Sequence, residues 1–358
     1  MQQSRVAHKY LLLVLLTVLF GCRKDEPTKA PEESNEPSLS VLHTEGRWFM
    51  NEQGEKVMLR GVNIPSMEWN ATGDNMLKSV HHMVDVWNCN LLRIPLSQDR
   101  WYGYGSEQSD DGAAYRNLVE AIVQAGDQKG AYIWLDLHWS NGNTWRQFIG
   151  QHTMPDENSK TFWQDVATIY KNHPAVLFGL YNEPYGIDWE LWRNGGEHNE
   201  YYNRNGEDTT LTYRAVGHQE LCDAIRTIGA ENIIIAGGID WGYDLSGILN
   251  GYALDGTNIA YDTHPYPWKD TDWDGKWGNI GKQYPIIVGE WGLNKEEAGH
   301  QQYGINITQY MRRHKFCWTA WCLHPSAGPQ LIKDWNYNPT WFGELTIREL
   351  AAPVILKD

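Results

Sequence analysis

A chain of 358 residues exceeds the usual single-domain length, yet barrels of alternating strands and helices use this length around one core. Its formal charge of −15 becomes more negative still once Arg5 and Lys9 leave with residues 1–21, which excludes a nucleic-acid partner because phosphate backbones need a basic footprint. Aromatic residues make up 13% of the chain, with 19 Trp and 19 Tyr, more than core filling demands, and such side chains suit half-wet surfaces.

The amino terminus reads as a targeting segment. Arg5 and Lys9 precede an apolar run at 10–20 that is too short to span a bilayer, so residues 1–21 are expected to be a signal peptide. That segment ends Leu19-Phe20-Gly21-Cys22, which resembles the lipobox of bacterial lipoproteins. The resemblance implies that Cys22 is lipidated, that the membrane is met only through this anchor, and that the protein is exported to the outer membrane. The following Arg23-Lys24-Asp25-Glu26 is similar to the surface-export signal of some Gram-negative lipoproteins, which would place it on the cell surface. Residues 22–38, rich in Pro, Glu and Ser, bury too little apolar surface to order themselves and read as a flexible tether, leaving 39–358 as one folded domain. Of the remaining cysteines, Cys317 and Cys322 fall five apart on one expected strand, roughly 16 Å at strand rise, too far to bridge. Cys89, Cys222, Cys317 and Cys322 are expected as buried thiols, and no Cys-x-x-Cys pair suggests zinc.

From residue 46 onward, apolar β-rich runs alternate with longer helical patterns, the order of a parallel sheet with crossover helices. Turn residues Asn51-Glu-Gln-Gly54 predict a hairpin over 46–59. The strands are expected at 57–63, 91–96, 132–138, 176–183, 232–237, 259–264, 286–290 and 318–323. Helical spacing covers 75–87, 115–129, 160–171, 211–228 and 295–314, whereas the stretches near 238–258 and 266–285 are less regular. The cationic Arg312-Arg313-His314-Lys315 suits the last turn of a helix, where the dipole favours positive charge. Eight such units predict an α/β fold, a (β/α)8 TIM barrel whose bottom is capped by the small N-terminal β-hairpin.

In such a barrel, chemistry belongs at the carboxyl ends of the strands. Arg93 ends the second expected strand, His138 the third, Asn182 and Glu183 the fourth, His264 and Tyr266 the sixth, Glu290 the seventh and Trp321 the eighth. Taken singly, Arg93 reads as a structural ion pair and His138 or His264 as a satisfied core histidine. Six strand ends bearing such groups together are hard to explain by stability alone. Glu183 and Glu290 also form the pair that cleavage of an acetal between two sugars requires, an acid on the leaving oxygen and a carboxylate behind the anomeric carbon. The aromatic wealth fits the same substrate, because flat apolar faces of sugar rings stack on Trp and Tyr.

The ordered set Leu-Arg-Ile-Pro, Asp-Leu-His-Trp, Tyr-Asn-Glu-Pro, Thr-His-Pro-Tyr and Gly-Glu-Trp-Gly resembles glycoside hydrolase family 5, over roughly residues 45 to 350. The resemblance implies Glu183 as acid/base and Glu290 as nucleophile. It further implies that Arg93 and Tyr266 hold the nucleophile ionised, that Asn182 binds the substrate 2-hydroxyl, that His138 and His264 line the cleaved subsite and that Trp321 is its stacking floor. A retaining hydrolysis of β-glycosidic bonds follows, with carboxyl groups roughly 5–5.5 Å apart, no cofactor and no metal. The expected substrate is a β-linked polysaccharide or oligosaccharide and the expected activity an endo-β-1,4-glucanase, from a monomer. A β-mannanase, a xyloglucanase and an exo-β-glycosidase are alternatives on the same site. Trp69, Trp101, Trp145, Trp189, Trp241, Trp268 and Trp335 could furnish further sugar platforms.

Two rivals come from other classes. A metal-dependent hydrolase would draw on the 13 His, but neither His-x-His nor His-Glu-x-x-His occurs. Residues 270–275 imitate the opening of a calcium loop, yet Gly281 stands where an EF-hand needs glutamate, so an acidic solvated loop is the plainer reading. A surface barrel that binds glycans without cutting them has no need for an acid and a nucleophile facing each other.

Overall fold

The computed structural model describes residues 39–204, 206–353 and 355–356; the expected signal peptide, Cys22 and the tether lie outside them. Eight parallel strands close into a barrel: β1 (Arg60–Asn63), β2 (Leu91–Ser97), β3 (Tyr132–Trp139), β4 (Val176–Gly179), β5 (Ile234–Gly237), β6 (Ile259–Asp262), β7 (Ile286–Val288) and β8 (Cys317–Ala320). Closure comes from β8 against β1, with Trp318 opposite Arg60 and Ala320 opposite Val62. Every residue of β2 is buried, which is why the barrel strands read as continuous apolar runs: one face fills the barrel and the other packs under helices.

Five of the crossing helices are Met76–Asp85, Ala113–Lys129, Glu157–Tyr170, His218–Thr227 and His300–His314. Glu157–Tyr170 starts on a capping box, in which the Asp156 carboxylate accepts from the Ser159 amide at 2.9 Å and the Ser159 hydroxyl accepts from the Asp156 amide at 3.0 Å. The irregular stretches after β5 and β6 hold only short turns, Ser246–Asn250, Asp274–Gly278 and Ile280–Lys282. A further helix, Trp341–Leu350, was not anticipated; Thr340 caps it by accepting from the Gly343 amide.

The expected first strand, 57–63, is two strands. Lys56–Val57 pairs with Ile355–Leu356 and, through Met50, with Trp48–Met50, while Arg60–Asn63 enters the barrel. The Asn90 side chain covers the break, accepting from the Arg60 amide at 2.7 Å and donating to the Met58 carbonyl at 2.9 Å. The hairpin is thus part of a four-stranded sheet that also includes His43–Glu45. Phe49, Val57 and Leu59 of this region pack with Leu91, Tyr132, Leu177 and Ile287 in one cluster, closing the amino-terminal end of the barrel.

Residues 211–228 are not one helix. Glu207–Ala215 pairs antiparallel with Gly196–Arg204 in a long hairpin, and the helix begins only at His218. Alternation decides it, since Leu211, Tyr213 and Ala215 are buried while Thr210, Thr212 and Arg214 are exposed, the period of a half-buried strand. Leu211, Tyr213 and Ala215 join Met154 in a small core of their own. Cys322 lies beyond the end of β8 rather than on it, and Cys89, Cys222, Cys317 and Cys322 are all free and buried. Among the described residues, no helix is long and apolar enough to cross a membrane.

Candidate active site

At β4, β6 and β7 the expected strand end outruns the paired strand. Backbone pairing stops at Gly179, Asp262 and Val288, and the next few residues bend over the barrel mouth. Gly289 shows why the bend is possible: a Cβ there would lie 2.3 Å from the Asp262 carboxylate, whose Oδ1 accepts from the Gly289 amide at 2.7 Å. Only glycine permits that approach, and it delivers Glu290 to the axis of the mouth.

Glu290 is nearly buried, and both of its oxygens are occupied. Arg93 Nη1 donates to Oε1 at 2.7 Å and the Tyr266 hydroxyl donates to Oε2 at 2.8 Å. Arg93 is fully buried; its Nη1 also donates to Asn63 Oδ1 at 2.8 Å, its Nη2 to Asn182 Oδ1 at 2.6 Å, and it pairs with Asp136 at 3.0 Å. Burial alone would lower the guanidinium's proton affinity, but Asp136 and Glu290 outweigh it and raise it above its ordinary value. Burial would likewise raise the Asp136 carboxyl, yet Arg93 and His138 hold it below the usual range.

His138 Nδ1 meets Asp136 at 2.8 Å, and the ring lies near-parallel to Trp321, with centroids 5.4 Å apart. His264 joins the two glutamates: Nδ1 is 2.8 Å from Glu183 Oε1 and 3.8 Å from Glu290 Oε2, while Nε2 is 2.9 Å from Asp262 Oδ2. Burial would lower this imidazole, but Glu290 and Asp262, with Glu183, raise it to about 10. One oxygen of Glu183, one of Glu290 and a nitrogen of His264 all lie within 4.8 Å of one another. The environments differ. The Glu183 side chain keeps 18% exposure and meets a single histidine, whereas Glu290 keeps 5% and is clamped by a cation and a phenol.

A folded pKa of about 10, above the ordinary value of 6.5, means that His264 contributes stability that is complete below pH 6.5 and is lost as pH rises towards 10. The melting temperature of the protein should therefore exceed that of His264→Gln by a margin that narrows between pH 6.5 and 10. A margin constant over that range in thermal denaturation would refute the charged, carboxylate-bound state.

All eight residues named from the sequence converge, and Glu183, Glu290, His138, Asn182, Tyr266 and Trp321 line one cleft of about 630 Å³. Of the seven tryptophans, Trp241 and Trp268 line it too. Trp241 stacks on Tyr185 and Trp268 on Tyr266, and both indoles remain exposed. Trp101 is fully buried, its Nε1 donating to Asp165, and so belongs to the core. Asn63, Asp136 and Asp262 were missed. Asp136 and Asp262 each stand two residues before a named histidine, at 138 and 264, so they share its face of the strand, and that spacing was the available signal.

Glu183, His264 and Glu290 form, among the described residues, the one trio with metal-ligand spacing. Both ring nitrogens of His264 already face acidic side chains, Nδ1 Glu183 at 2.8 Å and Nε2 Asp262 at 2.9 Å. In the acidic loop, Asp270 accepts from Tyr243 and from the Asp272 amide, Asp272 from the Gly275 amide, and Asp274 from Tyr310. Asp272 ties down its own turn, Asp270 does so too while meeting Tyr243, and Asp274 fastens the loop to Tyr310.

The model of the family described as Cellulase (glycosyl hydrolase family 5) matches residues 50–327. The chain belongs to glycosyl hydrolase family 5. It is 27% identical over 270 residues to Endoglucanase N of Pectobacterium atrosepticum, covering 74% of this chain and 51% of that protein. It is 25% identical over 320 residues to an endoglucanase of Clostridium saccharobutylicum, covering 87% and 63%. The chain thus spans about half to under two-thirds of the length of these relatives. The β-glucanase SdGluc5_26A of Saccharophagus degradans shares the fold at a TM-score of 0.69 and 22% identity, over 87% of this chain and 93% of that one. So does the catalytic domain of the major endoglucanase of Xanthomonas campestris pv. campestris, at 0.68 and 16%, over 87% and 99%.

Proposed function

We propose that this family 5 chain is an endo-β-1,4-glucanase that cleaves with retention of configuration, Glu290 acting as nucleophile and Glu183 as acid/base. The observation that carries the reading is the approach of the two glutamates, with one oxygen of each inside 4.8 Å across one cleft, the close facing that a retaining pair, with carboxyl groups roughly 5–5.5 Å apart, requires. In the first step Glu290 attacks the anomeric carbon as the bond to the leaving oxygen breaks, and Glu183 gives that oxygen its proton. In the second, Glu183 takes a proton from water, whose oxygen displaces Glu290 from the anomeric carbon. Arg93 and Tyr266 fix Glu290 for attack along one line, which removes orientational freedom before the reaction.

His138 and Trp321 form the wall on which the cleaved sugar rests, and Trp241 and Trp268 extend it. A β-1,4-glucan is supported by the endoglucanase relatives and by the binding of cellotetraose to SdGluc5_26A. The purified chain should release oligosaccharides from soluble cellulose derivatives faster than from mannan or xyloglucan, with mixed lengths early in digestion. Release of a single short product would mark an exo-acting enzyme, and retention on glucan without new reducing ends would mark a binding protein. The lipid anchor at Cys22 and export to the outer membrane belong to the same proposal and are supported by the sequence of residues 1–26; incorporation of labelled palmitate at Cys22 checks them.

A further inference from the structure

The family 5 pattern implies that Asn182 binds the substrate 2-hydroxyl, and an amide can present either its oxygen or its nitrogen. Two neighbours settle which. Oδ1 accepts from Arg93 Nη2 at 2.6 Å, and Nδ2 donates to Gln151 Oε1 at 3.1 Å. Rotating the amide by half a turn would set Nδ2 against the guanidinium and oxygen against oxygen, losing both bonds. Nδ2 carries a second hydrogen, and Asn182 lines the cleft.

Gln151 is itself held in one orientation. Its Nε2 donates to the His152 carbonyl and to the Glu183 carbonyl, both at 3.1 Å, so its oxygen has to face Asn182. The segment that carries it is anchored from below by the long hairpin. Glu200 on that hairpin meets His152 Nδ1 at 3.0 Å and accepts from the Thr153 amide at 3.1 Å, the Thr153 hydroxyl at 3.0 Å and the Tyr213 hydroxyl at 2.8 Å. Every one of these bonds stays within the chain, and none reaches the reacting atoms directly.

We propose that Gln151 is a positioning residue of the active site that acts through Asn182: it fixes the Asn182 amide with its nitrogen towards the sugar 2-hydroxyl. The inference rests on the retaining-glucanase reading. A hydrogen bond to the 2-hydroxyl strengthens as the transition state forms, so losing its orientation lowers kcat more than it raises KM.

The test compares Gln151→Ala with the unaltered protein on an aryl β-cellobioside and on its counterpart lacking the 2-hydroxyl of the sugar at the cleaved bond. On the first substrate kcat/KM should fall about tenfold to a hundredfold, mostly in kcat, the loss expected for a small misplacement. On the 2-deoxy substrate the variant and the parent should differ by less than about threefold. Asn182→Ala should show the same pattern, and the double variant should be no worse than Asn182→Ala alone, since the two groups act as a unit. Equal losses on both substrates with an unchanged melting temperature, or no loss on either, would overturn the proposal. Full activity of Glu290→Ala would instead overturn the reading beneath it. If Gln151→Ala does not fold, Gln151→Glu serves, because it keeps the acceptor for Asn182 while setting an oxygen against the Glu183 carbonyl. It should retain discrimination against the 2-deoxy sugar despite a lower rate, and loss of that discrimination would count against the proposal.

Discussion

Glu290→Ala is expected to lower kcat on every β-glucan and aryl β-glucoside by at least about 10⁴-fold, because a group that acts as one member of a concerted unit costs nearly the whole rate enhancement when removed. The aspartates nearest it are committed elsewhere: Asp136 is turned to Arg93 and His138, and Asp262 to His264 and the Gly289 amide. Folding is a separate matter. Arg93 is fully buried, and stripping a buried cation of its only counterion costs about 3–5 kcal/mol. Here Asp136 remains at 3.0 Å and Asn63 and Asn182 still accept from the guanidinium, so the loss should be smaller. Glu290→Gln retains an acceptor for Arg93 and Tyr266 and should melt close to the parent while staying inactive, which separates chemistry from stability. Added azide should rescue Glu290→Ala on an activated aryl glycoside by direct displacement, with inversion to the α-glycosyl azide. Residual turnover within about tenfold of the parent would remove Glu290 from the mechanism.

Glu183→Ala should behave differently because of what surrounds it. Polysaccharide cleavage should fall about 10²–10⁴-fold, the usual worth of a positioned acid. Dinitrophenolate leaves without a proton, so the first step on its glycoside should survive and release a burst of phenolate as the glycosyl-enzyme accumulates. Azide needs no base and should restore turnover, giving the β-glycosyl azide by displacement of Glu290 from the anomeric carbon. The two azide anomers, read by NMR, identify the roles. If both variants gave the same anomer, or if Glu183→Ala lost dinitrophenyl cleavage as fully as it lost glucan cleavage, the division of labour would fail. Removing Glu183 also takes away one partner of His264, but Asp262 stays at 2.9 Å, so the ring should keep its place.

The order of apolar runs already carried the barrel, because a strand covered on both faces must be apolar throughout, and eight such runs with helical stretches between most of them admit one simple closure. Boundaries were less legible. Glu183 and Glu290 sit beyond the last paired residues Gly179 and Val288, since the mouth of a barrel is still apolar where the ladder has ended. Residues 211–215 were misread as helix: Thr209, Thr210 and Thr212 mark the stretch as strand, but its partner, Gly196–Arg204, is polar along much of its length and gives little periodic signal. Trp101 shows the limit in another way, since a tryptophan in a loop and one in the core look alike until neighbours are known.

The sequence by itself determined the fold class and the identities of the groups at the strand ends, because periodicity and residue chemistry are local properties of the chain. Only the tertiary structure decided how those groups share their charges and hydrogen bonds: that Arg93 serves Glu290, Asp136, Asn63 and Asn182 at once, that His264 lies between two glutamates, and that Gln151, a loop residue without a motif, fixes the amide beside them. Hydrogen bonds act over about 3 Å, and residues far apart in the chain come within that range only when the barrel closes.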